Sequence, residues 1–349
     1  VRFLVTGNAG FIGYHVSKRL LIEGYDVIGI DNLNNYYDIT LKLARLKILK
    51  MYDNFVFYKC DLTDERAIKN IFFLEKIDRV IHFGAQAGVR HSLKNPMIYA
   101  TSNIIGYLNI LEASRLQKIN HLIYASSSSV YGSNYKLPFS TFDAVNHPVS
   151  LYGVTKRTNE LMSYTYSYLY RLPTTGLRLF TVYGPWGRPD MAIFKFTKSI
   201  LSGKNINIYN YGHMKRSFTF IDDVVEVVIR IQNNVPNGCD DIYNSKNGNL
   251  KPSFLVPYCV YNVANSDSIE LTTLIKMLEQ LLGVTAKKNL LPMQFGDVLE
   301  TCSDELTDLY QVIKFKPKTS IIHGVKKFLN WYFEYHGGIL VNSRKIEEL

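Results

Sequence analysis

Tyr152-Gly-Val-Thr-Lys156 places a phenol and an ammonium four residues apart at the start of a helical pattern, hence on one helix face. About twenty residues earlier, LIYASSSSVY (122–131) runs from a buried-strand pattern into a row of hydroxyls that includes Ser127, Ser128 and Ser129. A tyrosine whose proton can be drawn off beside a lysine and strand-end hydroxyls is a candidate site for oxidising an alcohol. Such chemistry needs an acceptor for the hydride.

The N-terminal stretch supplies a place for one. A short apolar strand at 2–6 leads into Gly7-Asn8-Ala9-Gly10-Phe11-Ile12-Gly13 and then an amphipathic helix. Gly7 and Gly10 permit a tight turn that brings a diphosphate close to the helix N-terminus, and Gly13 lets that helix pack on the sheet. A second strand ends in Asp31, followed by Asn32; an acid there accepts the hydroxyls of an adenosine ribose and disfavours a 2′-phosphate, so NAD is expected. Asp61, followed by Leu62 at the end of the next strand, suits either an adenine amine or the cap of the helix after it. Gly84-Ala85-Gln86 after the fourth strand reads as backbone lying against the cofactor. His82 reads as a core or strand-end histidine. Arg90 could meet a substrate anion or sit in a salt bridge.

These elements alternate as βαβ units, which predicts an α/β fold: a doubly wound, mostly parallel sheet over 1–180 with a smaller α/β substrate domain over 181–349. Segments near 215–265 are expected to return to the first domain. Residues 97–116 and 151–170 are helical patterns with more apolar positions than one core face needs, among them Ile98, Ile105, Leu108, Leu111, Leu161, Met162 and Leu169. They are expected to pair with a second copy as a homodimer. The stretch 233–258, with SKNGNL at 245–250, reads as a flexible insertion, and Asp222-Asp223 as a helix cap.

Composition narrows the classes. With 349 residues, 47% of them hydrophobic, the chain can bury a large core. The charge of +10 is spread without a basic block, against a nucleic-acid surface and compatible with a small polyanionic substrate. Cys60, Cys239, Cys259 and Cys302 lack metal-ligand spacing, so no metal is expected and a reducing, cytoplasmic setting is. No apolar run approaches about 18 residues, so no membrane span is expected. The opening strand pattern is read as leaving no room for a signal peptide.

Taken together, TGNAGFIG (6–13), Asp31, ASSSSVYG (125–132), YGVTK (152–156), RLFTVYGP (178–185), RSFTFIDD (216–223) and GDVLET (296–301) resemble the extended short-chain dehydrogenase/reductases that act on nucleotide sugars. AQAGVRHS (85–92) and YGPWGRPDMAIFKF (183–196) make the chain most similar to UDP-glucuronate 4-epimerases. The resemblance implies Tyr152 as base, Lys156 at the nicotinamide ribose, and Ser127 on the reacting hydroxyl. Ser128 and Ser129 would line the sugar site. Thr181, Lys195, Arg216 and Asp297 would serve the nucleotide of a UDP-sugar. Asp31 and Asn32 would hold the adenosine ribose, and Asp61 and Leu62 the adenine. Two positions depart from relatives: Thr181 stands where hexose epimerases have Asn, and Gln294 where many have Arg.

Related 4,6-dehydratases place Thr-Asp-Glu across positions 127–129, and uronate decarboxylases keep a Glu at 129. The serines here argue against both. A UDP-glucose or UDP-N-acetylhexosamine 4-epimerase and a non-catalytic NAD-binding protein are the other readings. A carboxylate on the substrate would want a cation, and Arg188 or Arg90 could supply it; Arg188 could equally be a surface arginine after a proline-rich turn.

Overall fold

The computed structural model describes residues 1–238, 256–303 and 307–337. The expected insertion at 245–250 and Cys239 lie outside them. The first half runs β1 (Arg2–Thr6), α1 (Phe11–Ile22), β2 (Asp26–Asp31), α2 (Ile39–Leu49), β3 (Phe55–Lys59), α3 (Glu65–Glu75) and β4 (Arg79–His82). It continues through α4 (Val89–Lys94), α5 (Pro96–Tyr99), α6 (Gly106–Leu116), β5 (His121–Ser127), α7 (Leu151–Tyr170) and β6 (Thr174–Leu179). Then come β7 (Thr181–Tyr183), α8 (Ala192–Leu201), β8 (Ile206–Tyr209), β9 (Lys215–Phe220), α9 (Ile221–Ile231), β10 (Tyr258–Val263) and β11 (Ser268–Glu270). The chain closes with α10 (Leu271–Leu282), β12 (Lys288–Leu291), β13 (Glu300–Thr301), α11 (Thr307–Ile313) and α12 (Ile321–Tyr335).

A seven-stranded sheet in the order β10-β6-β5-β4-β1-β2-β3 is parallel throughout. Helices cover both faces, which is why β5 and β6, in the middle of the sheet, are buried at every residue. The strand order reverses between β1 and β4, opening the crevice where α/β sheets bind ligands. β10 joins the edge of this sheet from far down the chain. A smaller α/β unit holds β11-β9-β13, with β7 also on β9, and the parallel pair β12-β8. The described helices include none long and apolar enough to cross a membrane.

Three local readings are corrected. The cap of α3 is not Asp61 but Asp64, whose carboxylate accepts from the Ala67 amide at 2.9 Å. Asp222 and Asp223 sit inside the first turn of α9, and Asp223 instead accepts from the Lys318 and Thr319 amides, tying down the segment before α12. The expected helix over 97–116 contains a π-helical stretch, Ala100–Ile105, between α5 and α6. The wider turn shifts the phase of the apolar positions. Tyr107, Ile110 and Leu111 therefore enter the core, while Ile98, Ile105 and Leu108 stay exposed.

Candidate active site

The C-terminal ends of β1, β2, β4, β5 and β6 surround a cavity of about 420 Å³ that the smaller unit closes from the other side. Its lining includes Gly7, Gly10, Phe11, Ile12 and Gly13 of the glycine turn. Gly7 has φ +68°, and a Cβ there would meet the Gly84 nitrogen at 2.8 Å. The glycine is needed because two loops facing the cavity touch at this point. Asn8 faces away from the cavity, buried with its amide packed against Gly29.

Asp31 and Asn32 line the same cavity, as do Asp61 and Leu62. Asn32 donates to Asp61 at 2.7 Å, which joins the ends of β2 and β3. Burial raises the Asp31 carboxyl above its usual range, and Lys42 only partly opposes this. Lys42, nearly buried on α2, donates to Asn34 and stands 3.9 Å from Asp31. It lines the cavity together with Asn34, Tyr36 and Tyr37, none of which was singled out from sequence. A basic residue on the helix after an acidic strand end was the only available signal.

Gly84, Ala85 and Gln86 also line the cavity. The Gln86 amide donates to Asn103 Oδ1 at 2.7 Å, and Asn103 Nδ2 returns a bond to the Gln86 carbonyl at 3.0 Å. Asn103 Nδ2 also reaches Thr155 Oγ1, and Asn159 donates to the Asn103 carbonyl. One buried asparagine in the π-helical stretch thus holds the 84–86 loop against α7. His82 belongs to the core: its Nδ1 pairs with Thr6 Oγ1 at 2.8 Å, and burial pushes its pKa well down. Thr6 Oγ1 also accepts from the Gly84 amide at 3.0 Å, which ties the 84–86 loop to the end of β1.

The reactive end is built by α7 and β5. Ser150 caps α7, accepting from the Gly153 amide at 3.1 Å, and fixes where Tyr152 begins. Ser127, Ser128, Ser129, Tyr152 and Lys156 all line the cavity. Burial raises the Tyr152 pKa above 10, while the charge of Arg188 and a hydrogen bond with Ser127 oppose the rise. Burial lowers Lys156 to about 8. Below the site, Glu160 accepts from Ser126 at 2.6 Å and pairs with Arg178, whose Nη1 reaches the Tyr131 hydroxyl.

From the smaller unit, Thr181, Arg188, Arg216, Asp297 and Thr301 complete the lining. Arg216 donates to the Val298 and Leu299 carbonyls and holds the loop that carries Asp297. Arg90 is exposed and outside the lining, paired with Asp297 at 2.9 Å and lying over the Tyr209 ring. Lys195 is also outside it: Ile193, Phe194, Phe196 and Ile200 fill the core, and Lys195 stays exposed on α8. Arg188 forms a two-bond pair with Asp190. Among the described residues no three His, Cys, Asp or Glu gather as a metal site.

A parallel dinucleotide sheet whose cavity brings together a glycine turn, Tyr152, Lys156 and Ser127 defines an enzyme of the short-chain dehydrogenase/reductase type. The chain belongs to the NAD dependent epimerase/dehydratase family, whose model matches residues 3–244. It is 43% identical to a probable UDP-glucuronate 4-epimerase of Rhizobium meliloti, over 95% of this chain and 97% of that protein. It is 48% identical to protein CapI of Staphylococcus aureus, over 96% of this chain and 99% of that protein. A solved structure of UDP-glucuronic acid 4-epimerase from Bacillus cereus, in complex with UDP-glucuronic acid and NAD, matches with a TM-score of 0.84 and 30% identity, covering 96% of this chain and all of that one. NAD is the cofactor, and a glycine turn, Asp31 and the 84–86 loop lining one cavity fit it.

Proposed function

We propose that the protein interconverts UDP-glucuronate and UDP-galacturonate by inversion at C4, and that it works as a homodimer. Bound NAD⁺ supplies a hydride acceptor beside C4 that can give the hydride back. Tyr152, as phenolate, takes the proton from the C4 hydroxyl and returns it when the opposite face is reduced. Ser127 donates to the same oxygen as charge develops there. Lys156, held against β5, keeps a positive charge near the phenolate and the cofactor ribose. Thr181, Arg216 and Asp297 hold the nucleotide while the sugar turns over between the two reduction events.

The observation that carries the reading is the make-up of the reactive end. The carboxylates that line the cavity among the described residues are Asp31, Asp61 and Asp297, none of them beside Ser127–Ser129, while Arg188 stands near Tyr152. Hydroxyls without an acid favour return of the hydride over elimination, and a guanidinium there suits a uronate carboxylate. The homodimer reading is supported by the exposed apolar side chains of Met97 and Ile98 on α5, Leu108 on α6, and Val154, Leu161 and Leu169 on α7.

The test compares turnover of UDP-glucuronate and UDP-glucose by the wild type and Arg188→Ala. The wild type should prefer the acid and the variant should lose that preference. Better turnover of UDP-glucose by the wild type would overturn the uronate assignment.

A further inference from the structure

Arg188 lies on the loop between β7 and α8, yet this loop is fastened mainly to the dinucleotide-binding half of the chain. Arg45, fully buried on α2, donates Nη1 to the Ala9 carbonyl of the glycine turn at 2.8 Å and Nη2 to the Trp186 carbonyl at 2.5 Å. His15 of α1 bonds the Pro185 carbonyl at 2.9 Å through Nε2, which must carry the proton because a carbonyl only accepts. Trp186, at φ +61°, packs on Tyr14 as well as on Trp331 and Tyr335. Tyr36, against Gly88, donates its hydroxyl to Asp190 Oδ2 at 3.1 Å.

Asp190 then takes Arg188 from two sides: Nε reaches Oδ1 at 2.9 Å and Nη2 reaches Oδ2 at 2.6 Å. A turn from the Arg188 carbonyl to the Met191 amide, 3.1 Å, folds the aspartate back onto its own arginine. Asp190 thus occupies the Nε–Nη2 edge, and Nη2 also reaches Met191 Sδ at 3.7 Å, so a two-bond grip on a second carboxylate would have to displace one of these partners. Nη1 has no protein partner among the described residues, and Arg188 still lines the cavity.

Resting on the reading of Arg188 as the uronate-binding cation, we propose that Asp190 is a specificity-determining positioning residue. It fixes the Arg188 guanidinium at the reactive end with Nη1 as its free end, so a sugar carboxylate is recognised by that nitrogen alone. A bidentate grip would anchor the sugar in one orientation, whereas C4 inversion needs the ring to turn over. Tyr36 extends the arrangement into the cofactor half, so the carboxylate site is set by the same loops that surround NAD.

The test measures binding of UDP-glucuronate and of UDP-glucose to NAD-loaded enzyme by titration calorimetry, with melting temperature and NAD content followed in parallel. Asp190→Asn keeps the shape but removes the charge and one acceptor. It should reduce the uronate-over-hexose affinity ratio about tenfold or more and leave UDP-glucose binding within about threefold. Tyr36→Phe should move the same ratio in the same direction by a smaller factor. A purely structural role would lower both affinities together, and that result would overturn the proposal, as would an unchanged ratio in Asp190→Asn. Arg188→Ala separates the two levels. If it leaves the ratio unchanged, the uronate reading of Arg188 fails; if it abolishes the ratio while Asp190→Asn does not, only the role of Asp190 fails.

Discussion

The ammonium of Lys156 donates to the carbonyl oxygen of Ala125 at 2.9 Å, two residues before Ser127 on the same strand. This bond pins α7 to β5 one helical turn after Tyr152 and sets the distance between phenol and serine hydroxyl. The same burial lowers the lysine to about 8, so a charged Lys156 carries a desolvation cost in the folded protein without cofactor.

Lys156→Met should therefore separate activity from stability. Turnover should fall by at least about a hundredfold, while the NAD-free protein should gain roughly 1–2 kcal/mol at pH 7. The folded lysine loses its proton before the unfolded one, so between about 8 and the ordinary lysine value of 10.5 the unfolded chain holds more protons. Wild-type stability should rise with pH across that window relative to the variant. Urea unfolding of both proteins at pH 7 and pH 9.5 measures this; parallel pH dependences would contradict it.

Glu160 anchors the strand end from beneath. Burial alone would raise its carboxyl, but Arg178, Ser126 and Arg157 together outweigh burial and hold it below 4.5. Glu160→Ala strands Arg178 without its partner and should cost about 3–5 kcal/mol. The wild-type contribution is present above pH 4.5 and lost as pH falls below it, so Glu160→Gln should flatten the acid limb of the stability curve. Acid titration followed by circular dichroism checks the sign.

Asp31 and Lys42 form a second testable couple. On the reading that Asp31 accepts from the ribose hydroxyls, Asp31→Ala removes that acceptor and the carboxylate nearest Lys42. NAD affinity should fall about tenfold or more, and the preference for NAD over NADP should shrink, because a 2′-phosphate would now meet a lone ammonium. Titrating cofactor-stripped protein with each dinucleotide reads both effects. An unchanged preference would place the ribose elsewhere.

The exposed apolar surface gives a fourth prediction. Leu108 and Leu161 are 41% and 52% exposed on adjacent helices. The double substitution Leu108→Glu, Leu161→Glu should yield monomers in sedimentation velocity at micromolar concentration, while the wild type sediments as a dimer. A monomeric wild type would remove the homodimer from the account.

Much of this site was legible because its signals are local in sequence. The glycine turn, Asp31 at a strand end and the four-residue step from Tyr152 to Lys156 each follow from one element's geometry. What stayed hidden depends on partners distant in the chain. Arg45 reads as one basic residue among several on α2, yet it holds Ala9 and also reaches Trp186, 141 positions further on. Asn103 sits in an apolar helical pattern, and only the π-helical stretch turns it toward Gln86 and Thr155. Arg90 reads equally as an anion contact or a salt-bridge member, and sequence does not show that its partner is Asp297, 207 positions away. Lys195 carries the right charge in a matching motif, and the helix phase decides its exposure.

The most direct test of the account is the fate of the hydrogen at C4. UDP-glucuronate deuterated at C4, incubated with the NAD-loaded protein in ordinary water, can be followed by proton NMR. The account predicts UDP-galacturonate with deuterium still at C4 and no carbon dioxide released. Loss of the label to solvent, release of carbon dioxide, or an unchanged substrate would contradict it.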